Sequence, residues 1–313
     1  MYSEVSPSVV TISDKDFSVD ELSFHGNDFK NKYLGAGFLV SPNKIITTSH
    51  IINSVDELFV LFTDGEVIRG SVNVRLESSD IAIIELEKEK ENPVLARLGD
   101  STSAEVGDEI FLIGAPHGLR STLSVGHLTG KRRNTNYKNP FFLTKYIQTN
   151  AMVNSGNSGG PLFDNNGFVI GVVSHLTTSS GDFQGISFAI DIEIVKKMLL
   201  NKEKIWSNAQ LYLVKRGDLI GEHMPQDYGL LVIDINSPSV YDKIGLKDGS
   251  IDKVIAGIDV TLGGDIILAF NDVAVEYTEK AFNKINSILN SYEEGVDLKL
   301  KIIRDGKIMY LKG

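Results

Sequence analysis

From Val9 to about Ile190 the chain is built of short apolar runs, each broken after a few residues by Gly, Asn, Asp or Ser. Gly37-Phe-Leu-Val, Lys44-Ile-Ile-Thr-Thr, Leu58-Phe-Val-Leu-Phe, Ile81-Ala-Ile-Ile-Glu-Leu, Ile110-Phe-Leu-Ile and Phe168-Val-Ile-Gly-Val-Val all have this form. A period of two places successive side chains on opposite faces of a strand, and runs this short do not sustain an amphipathic helix. The segment is therefore expected to be all β. Helical periodicity first appears at Asp191-Ile-Glu-Ile-Val-Lys-Lys-Met-Leu-Leu, where Ile192, Val195, Met198 and Leu199 share a face and Asp191 stands at the N-cap. That helix is expected to close a first domain spanning residues 1–203.

The polar stretch Asn201 to Asn208 reads as a linker, and the pattern beyond it is mixed. Strands are expected at Gly229-Leu-Leu-Val-Ile-Asp-Ile, Asp265-Ile-Ile-Leu-Ala-Phe and Asp297-Leu-Lys-Leu-Lys-Ile-Ile, with turns at Asn271-Asp272 and Asp305-Gly306. Helices are expected at Ser239 to Leu246 and at Thr278 to Tyr292, the second presenting Ala281, Ile285, Ile288 and Leu289 on one face. This makes a small α+β domain of residues 208–313. Two domains also suit a length of 313 residues, about twice the ~150 of an average domain. No repeat of fixed period runs through the chain.

Composition removes several function classes. Against 31 Lys and Arg stand 41 Asp and Glu, a net charge of -10, so no overall field draws in nucleic acid. The chain has no cysteine, which excludes disulfides, thiolate nucleophiles and Cys-ligated zinc. No His-Glu-x-x-His run occurs, and the six histidines, His25, His50, His117, His127, His175 and His223, lack ligand spacing. Neither a metal nor another cofactor is expected. No apolar run reaches the ~18 residues of a membrane span, and Met1-Tyr-Ser-Glu-Val-Ser-Pro is unlike a signal peptide. The basic cluster Lys131-Arg-Arg with Lys138 and Lys145 reads as a solvated loop, and Phe141-Phe142 as packing.

The chemistry concentrates in Asn154-Ser-Gly-Asn-Ser-Gly-Gly-Pro-Leu. Ser158 is flanked by Gly156, Gly159 and Gly160, and glycines there let consecutive backbone N–H groups converge on one developing oxyanion. A serine hydroxyl needs a base. His50 stands at a strand-to-turn junction between Lys44-Ile-Ile-Thr-Thr-Ser and Ile51-Ile52, and Asp80 directly precedes a buried type of strand, where a carboxylate could fix an imidazole. The run Gly156-Asn-Ser-Gly-Gly also satisfies the nucleophile elbow of α/β-hydrolases. That fold requires a helix after the serine and the order Ser, Asp, His, whereas Pro161 and a strand follow here and the better His and Asp lie upstream.

Six motifs, Gly35-Ala-Gly-Phe-Leu-Val-Ser-Pro, Ile46-Thr-Thr-Ser-His-Ile-Ile, Asp80-Ile-Ala-Ile-Ile, Ile147-Gln-Thr-Asn-Ala, Gly156-Asn-Ser-Gly-Gly-Pro-Leu and Gly185-Ile-Ser-Phe-Ala-Ile, resemble in sequence and order the protease domain of HtrA/Deg serine endopeptidases. The resemblance implies a chymotrypsin-like double β-barrel, His50 as general base, Asp80 as its orienter and Ser158 as nucleophile. It implies an oxyanion hole from the N–H groups of Gly156 and Ser158, and a P1 pocket lined by Met152, Val153, Ile186 and Phe188. Unfolded or misfolded proteins would be the substrates, a periplasmic or other envelope compartment the location, and a homotrimer with Tyr2 among its contacts the assembly.

Tyr228-Gly-Leu-Leu-Val, Ser237 to Gly249, Gly264-Asp-Ile-Ile-Leu-Ala-Phe-Asn and Ile303-Arg-Asp-Gly-Lys resemble the PDZ domain of the same family. Two departures stand out. Asp252 to Gly263 is an insertion, expected to form an extra hairpin. The carboxylate-binding loop, usually Tyr-Leu-Gly-Ile, is represented by Asp218-Leu-Ile-Gly, which makes Leu219, Ile220 and Gly221 the peptide-binding candidates. Asp218 at its mouth would repel a peptide C-terminus. The alternative to an enzyme is a protease-fold chaperone or peptide-binding adaptor with low or switched-off activity.

Overall fold

The computed structural model describes residues 1–16, 33–52, 57–76, 79–116, 119–133, 145–174, 185–201, 209–217, 224–235, 240–255, 258–290 and 297–313. The chain divides into two compact units, one of Met1–Asn134 and Thr144–Lys202, the other containing Glu203–Gly313.

After a one-turn helix, α1 (Tyr2–Val5), the first unit forms β1 (Val9–Ser13), β2 (Tyr33–Ser41), β3 (Lys44–Thr47), β4 (Glu57–Leu61), β5 (Val67–Leu76) and β6 (Ile81–Leu86). They close in the order β1-β2-β3-β6-β5-β4, with β1 pairing β4 to complete the ring. The strands β7 (Arg97–Leu98), β8 (Glu109–Gly114), β9 (Thr122–Arg133), β10 (Lys145–Thr149), β11 (Pro161–Asp164), β12 (Phe168–Ser174) and β13 (Ser187–Asp191) follow. Six of these close in the order β11-β8-β9-β10-β13-β12 through a β11–β12 pairing, while β7 adds in parallel to β12. The expected pair of barrels is present.

The alternation in sequence has a direct counterpart in packing. On β6, Ala82, Ile84 and Leu86 point into the first barrel with Val10, Ile12, Ile45 and Leu58. Their neighbours Ile81 and Ile83 point the other way, into a cluster shared by both barrels with Phe38, Ile46, Phe111, Ile113, Phe163 and Val172. β8 repeats the scheme, with Ile110 and Leu112 inside the second barrel and Phe111 and Ile113 in the shared cluster. Strands buried on both faces have no polar face, which is why they appear in sequence as near-continuous apolar runs. The closing helix α2 (Ile192–Asn201) sends Ile192 and Val195 into the same shared cluster. Asp191 caps it as expected, accepting the Glu193 N–H at 3.0 Å and the Ser101 hydroxyl.

The second unit comprises β14 (Ala209–Lys215), β15 (Tyr228–Ile235), α3 (Val240–Lys243), β16 (Ile251–Ile255), β17 (Ile258–Leu262), β18 (Ile266–Phe270), β19 (Val273–Ala274), α4 (Glu279–Asn290), β20 (Lys299–Arg304) and β21 (Lys307–Lys312). Its sheet runs β14-β15-β18-β20-β21, with β19 on β18. One face packs Leu213, Leu230, Phe270, Leu300 and Ile302 against Phe282, Ile285 and Leu289 of α4. The inserted segment forms the β16–β17 hairpin, and its Leu262 packs on the opposite face beside Val214, Leu231 and Leu268. The helix expected over 239–246 is shorter: α3 ends at Lys243, and Gly245, at φ +75°, turns the backbone out of the helical region. Asn271 and Asp305 occupy left-handed turn positions.

Phe163 is fully buried and stacks on Phe111 with ring centroids 5.0 Å apart, at the centre of the shared cluster. Phe163→Ala is expected to cost about 3–5 kcal/mol. Hydrogen exchange across β8 and β11 measures this, and unchanged protection there would refute a central role for the cluster.

Candidate active site

β3 ends at Thr47, and His50 opens a 3-10 turn, His50–Ile52, anchored by the buried Ile52 with Ile51 packed on the first barrel's core. The imidazole stays 38% exposed. Asp80 immediately precedes β6 at φ +53°, a left-handed conformation that Asp and Asn tolerate better than other non-glycine residues. Its carbonyl accepts the Ser49 N–H at 3.3 Å.

This conformation presents the Asp80 carboxylate to several donors. His50 Nδ1 lies 2.8 Å from Oδ2 and 2.9 Å from Oδ1, and the His50 backbone N–H donates to Oδ1 at 3.0 Å. The Ser49 hydroxyl donates to Oδ1 at 3.0 Å, and the Ser174 hydroxyl, from the end of β12, donates to Oδ2 at 2.7 Å. A carboxylate can only accept, so Nδ1 carries the hydrogen and Nε2 is left as the basic nitrogen. Burial by itself would raise the Asp80 pKa. The His50 hydrogen bond and charge, the Ser174 hydroxyl and the His50 N–H outweigh it and hold the carboxyl below the usual range.

Ser158 sits in the turn that leads into β11 and is buried. Its carbonyl accepts the Ala36 N–H of β2 at 2.8 Å, and the Gly159 N–H donates to Val173 O of β12 at 2.8 Å. The Ser158 loop is thus tied on one side to the strand next to β3 and on the other to the residue before Ser174. Glycine is required twice. At φ +99° a Cβ on Gly156 would stand 2.2 Å from Ala115 O, and at φ +82° one on Gly159 would stand 2.2 Å from both Ala36 O and Thr47 Oγ1. The N–H groups of Asn157, Gly159 and Gly160 are engaged with backbone carbonyls, whereas those of Gly156 and Ser158 have no backbone acceptor among the described residues.

The specificity candidates divide. Met152 and Ile186 are about half exposed, Val153 is turned into the second barrel's interior cluster, and Phe188 packs on the shared cluster with its ring edge-on to Tyr146. Leu219, Ile220 and Gly221 lie outside the described residues, as do Asp218, His25, His117, His175 and His223. Sequence reasoning missed Ser49 and Ser174. Each is one serine at the end of a strand run, and only the folded chain brings their hydroxyls to Asp80.

Residues 35–172 match the trypsin-like peptidase domain, the class that two closed six-stranded barrels with a histidine–carboxylate couple define. The "Probable periplasmic serine endoprotease DegP-like" of Chlamydia trachomatis serovar D is 32% identical over 286 residues, covering 87% of this chain and 52% of that relative. The protein of the same name from Halomonas elongata is 28% identical, covering 90% of this chain and 56% of the relative. The solved structure "HtrA-type protease AlgW with decapeptide" superimposes with a TM-score of 0.60 at 22% identity, over 100% of this chain and 97% of that one. The chain carries a trypsin-like peptidase domain over residues 35–172 and is similar to DegP-like serine endoproteases and, in fold, to HtrA-type proteases. It spans about half the length of the curated relatives it matches.

A depressed carboxyl pKa contributes stability that is complete above the unfolded value of ~3.9 and is lost as pH falls through the lower folded value. Asp80→Asn keeps a side chain suited to φ +53° and removes that titration. Its denaturation midpoint, followed from about pH 6 to about pH 2, is expected to fall less steeply with acid than the wild type's. Parallel curves would show that Asp80 does not carry the linkage.

Proposed function

We propose that this protein is a serine endopeptidase of envelope protein quality control, cleaving unfolded or misfolded chains. The observation that carries the reading is the pairing of His50 Nδ1 with Asp80 at 2.8 Å, braced by Ser174 at 2.7 Å. That geometry leaves Nε2 to take the Ser158 hydroxyl proton as the oxygen attacks the scissile carbonyl. The negative charge then forming on the carbonyl oxygen is received by the N–H groups of Gly156 and Ser158, which have no competing backbone acceptor among the described residues. Protonated His50 gives its proton to the leaving amine, and the acyl-enzyme is released when water, deprotonated by the same Nε2, attacks it. Asp80 stays ionised throughout, as its lowered pKa favours.

The periplasmic location and the peptidase activity are named for the relatives, and the closed barrels and site geometry support extending them to this chain. Assembly as a homotrimer rests on the family resemblance. We read residues 208–313 as a PDZ-like regulatory domain. Among the described residues its β14 pairs with β15 alone, and an extended peptide can add to its other edge as a further strand.

Ser158→Ala is expected to lower kcat toward unfolded casein by several orders of magnitude, up to about 10⁶-fold. Equal cleavage by wild type and variant would sink the reading. The two specificity candidates with exposed surface, Met152 and Ile186, are apolar, so a basic P1 side chain would find no counter-ion from them. Cleavage of a peptide library is expected after Val, Ile, Leu or Ala, and a preference for Lys or Arg would contradict this assignment.

A further inference from the structure

Ser49, next to His50 in the chain, is 3% exposed, and its hydroxyl donates to Asp80 Oδ1 at 3.0 Å. The other carboxylate oxygen receives the Ser174 hydroxyl from the second barrel. Each oxygen of Asp80 therefore has one hydroxyl donor, and the two come from opposite barrels. Building on the peptidase reading, we propose that Ser49 is a positioning residue that clamps the Asp80 carboxylate together with Ser174 and so sets the basicity of His50.

The backbone is fixed without this hydroxyl, because the Ser49 N–H already bonds Asp80 O and the His50 N–H already bonds Oδ1. A structural need for hydrogen bonding does not explain it either. The neighbouring hydroxyls of Thr48 and Ser79 are buried with no partner among the described residues, so burial next to Asp80 does not by itself bring a hydroxyl to the carboxylate. What the Ser49 hydroxyl adds is a donor to a charged oxygen. Among the described residues His50 is the sole titratable group in contact with Asp80; the remaining donors are the His50 backbone N–H and the Ser49 and Ser174 hydroxyls. A donor on Oδ1 draws charge away from the imidazole, so its removal leaves a carboxylate that holds the imidazolium proton more tightly. His50 then remains protonated to higher pH, where it cannot serve as a base.

The test is an NMR titration of the His50 imidazole in the full chain for wild type, Ser49→Ala and Ser49→Thr, paired with the pH profile of kcat/KM on a peptide substrate. Ser49→Ala is expected to raise the His50 midpoint by about half a unit to one unit, below the ~1–3 units of a full neighbouring charge. On the acid limb kcat/KM should fall by the same factor, up to roughly tenfold, with KM unchanged. Ser49→Thr keeps the hydroxyl and should restore both. A wild-type midpoint in Ser49→Ala, or a kcat loss that Ser49→Thr does not repair, overturns the proposal. The titration needs no turnover: an inactive wild type whose midpoint still rises in Ser49→Ala would overturn the peptidase reading and uphold the role of Ser49.

Discussion

One partly buried carboxylate joins the two barrels. Asp80 belongs to the first barrel and takes the Ser49 hydroxyl, the His50 N–H and the imidazole from its own side, and it reaches across to the Ser174 hydroxyl of the second. Burying a charge is costly unless it is fully hydrogen-bonded, and here the donors overcome the desolvation and keep the group ionised. Every other element of the site is placed relative to this point: β3 delivers His50, β6 delivers Asp80, and β12 delivers Ser174 while binding the Gly159 N–H beside the nucleophile.

The shared apolar cluster makes that junction rigid. Phe38 and Ile46 from one barrel and Phe111, Phe163 and Val172 from the other fill the space between them, and close packing of this kind transmits small displacements instead of absorbing them. The Ser158 loop is pressed into the same seam, where a Cβ on Gly159 would meet Ala36 O and Thr47 Oγ1 of the first barrel. The buried oxygens of Thr48, Ser79 and Asn157, unpartnered among the described residues, lie next in the chain to Ser49, Asp80 and Ser158. Such groups cost about 1–3 kcal/mol each, and their concentration here is a stability cost borne at the site.

Much of this was legible in the sequence, for identifiable reasons. The unbroken apolar runs of Ile81-Ala-Ile-Ile and Ile110-Phe-Leu-Ile are the direct imprint of strands buried on both faces, and the spacing of Ile285 and Leu289 is that of α4's buried face. Asp191 announced a helix start by its chemistry, and the hairpin at β16 and β17 followed from an insertion. What escaped was whatever depends on long-range approach. Ser174 lies 94 residues from Asp80 in the chain, and nothing local marks its hydroxyl as a carboxylate partner. Val153 and Phe188 sit near Ser158 and on a following strand in sequence, and their side chains pack on the second barrel's interior and on the shared cluster, a choice of face that a motif position does not specify.

Among the described residues no strand of one barrel pairs with a strand of the other; each ring closes on itself, through β1 with β4 and through β11 with β12. The hydrogen bonds of the site, by contrast, cross the seam, from Ser174 to Asp80 and from the Ala36 N–H to Ser158 O. A partial opening along the seam would separate these groups while leaving both barrels closed. Breaking these contacts therefore requires no strand pairing to break, so a sub-global opening along the seam would separate Asp80 from Ser174 with both rings intact. A chain can in that way retain its full strand content and lack the alignment that makes one of its serines a nucleophile.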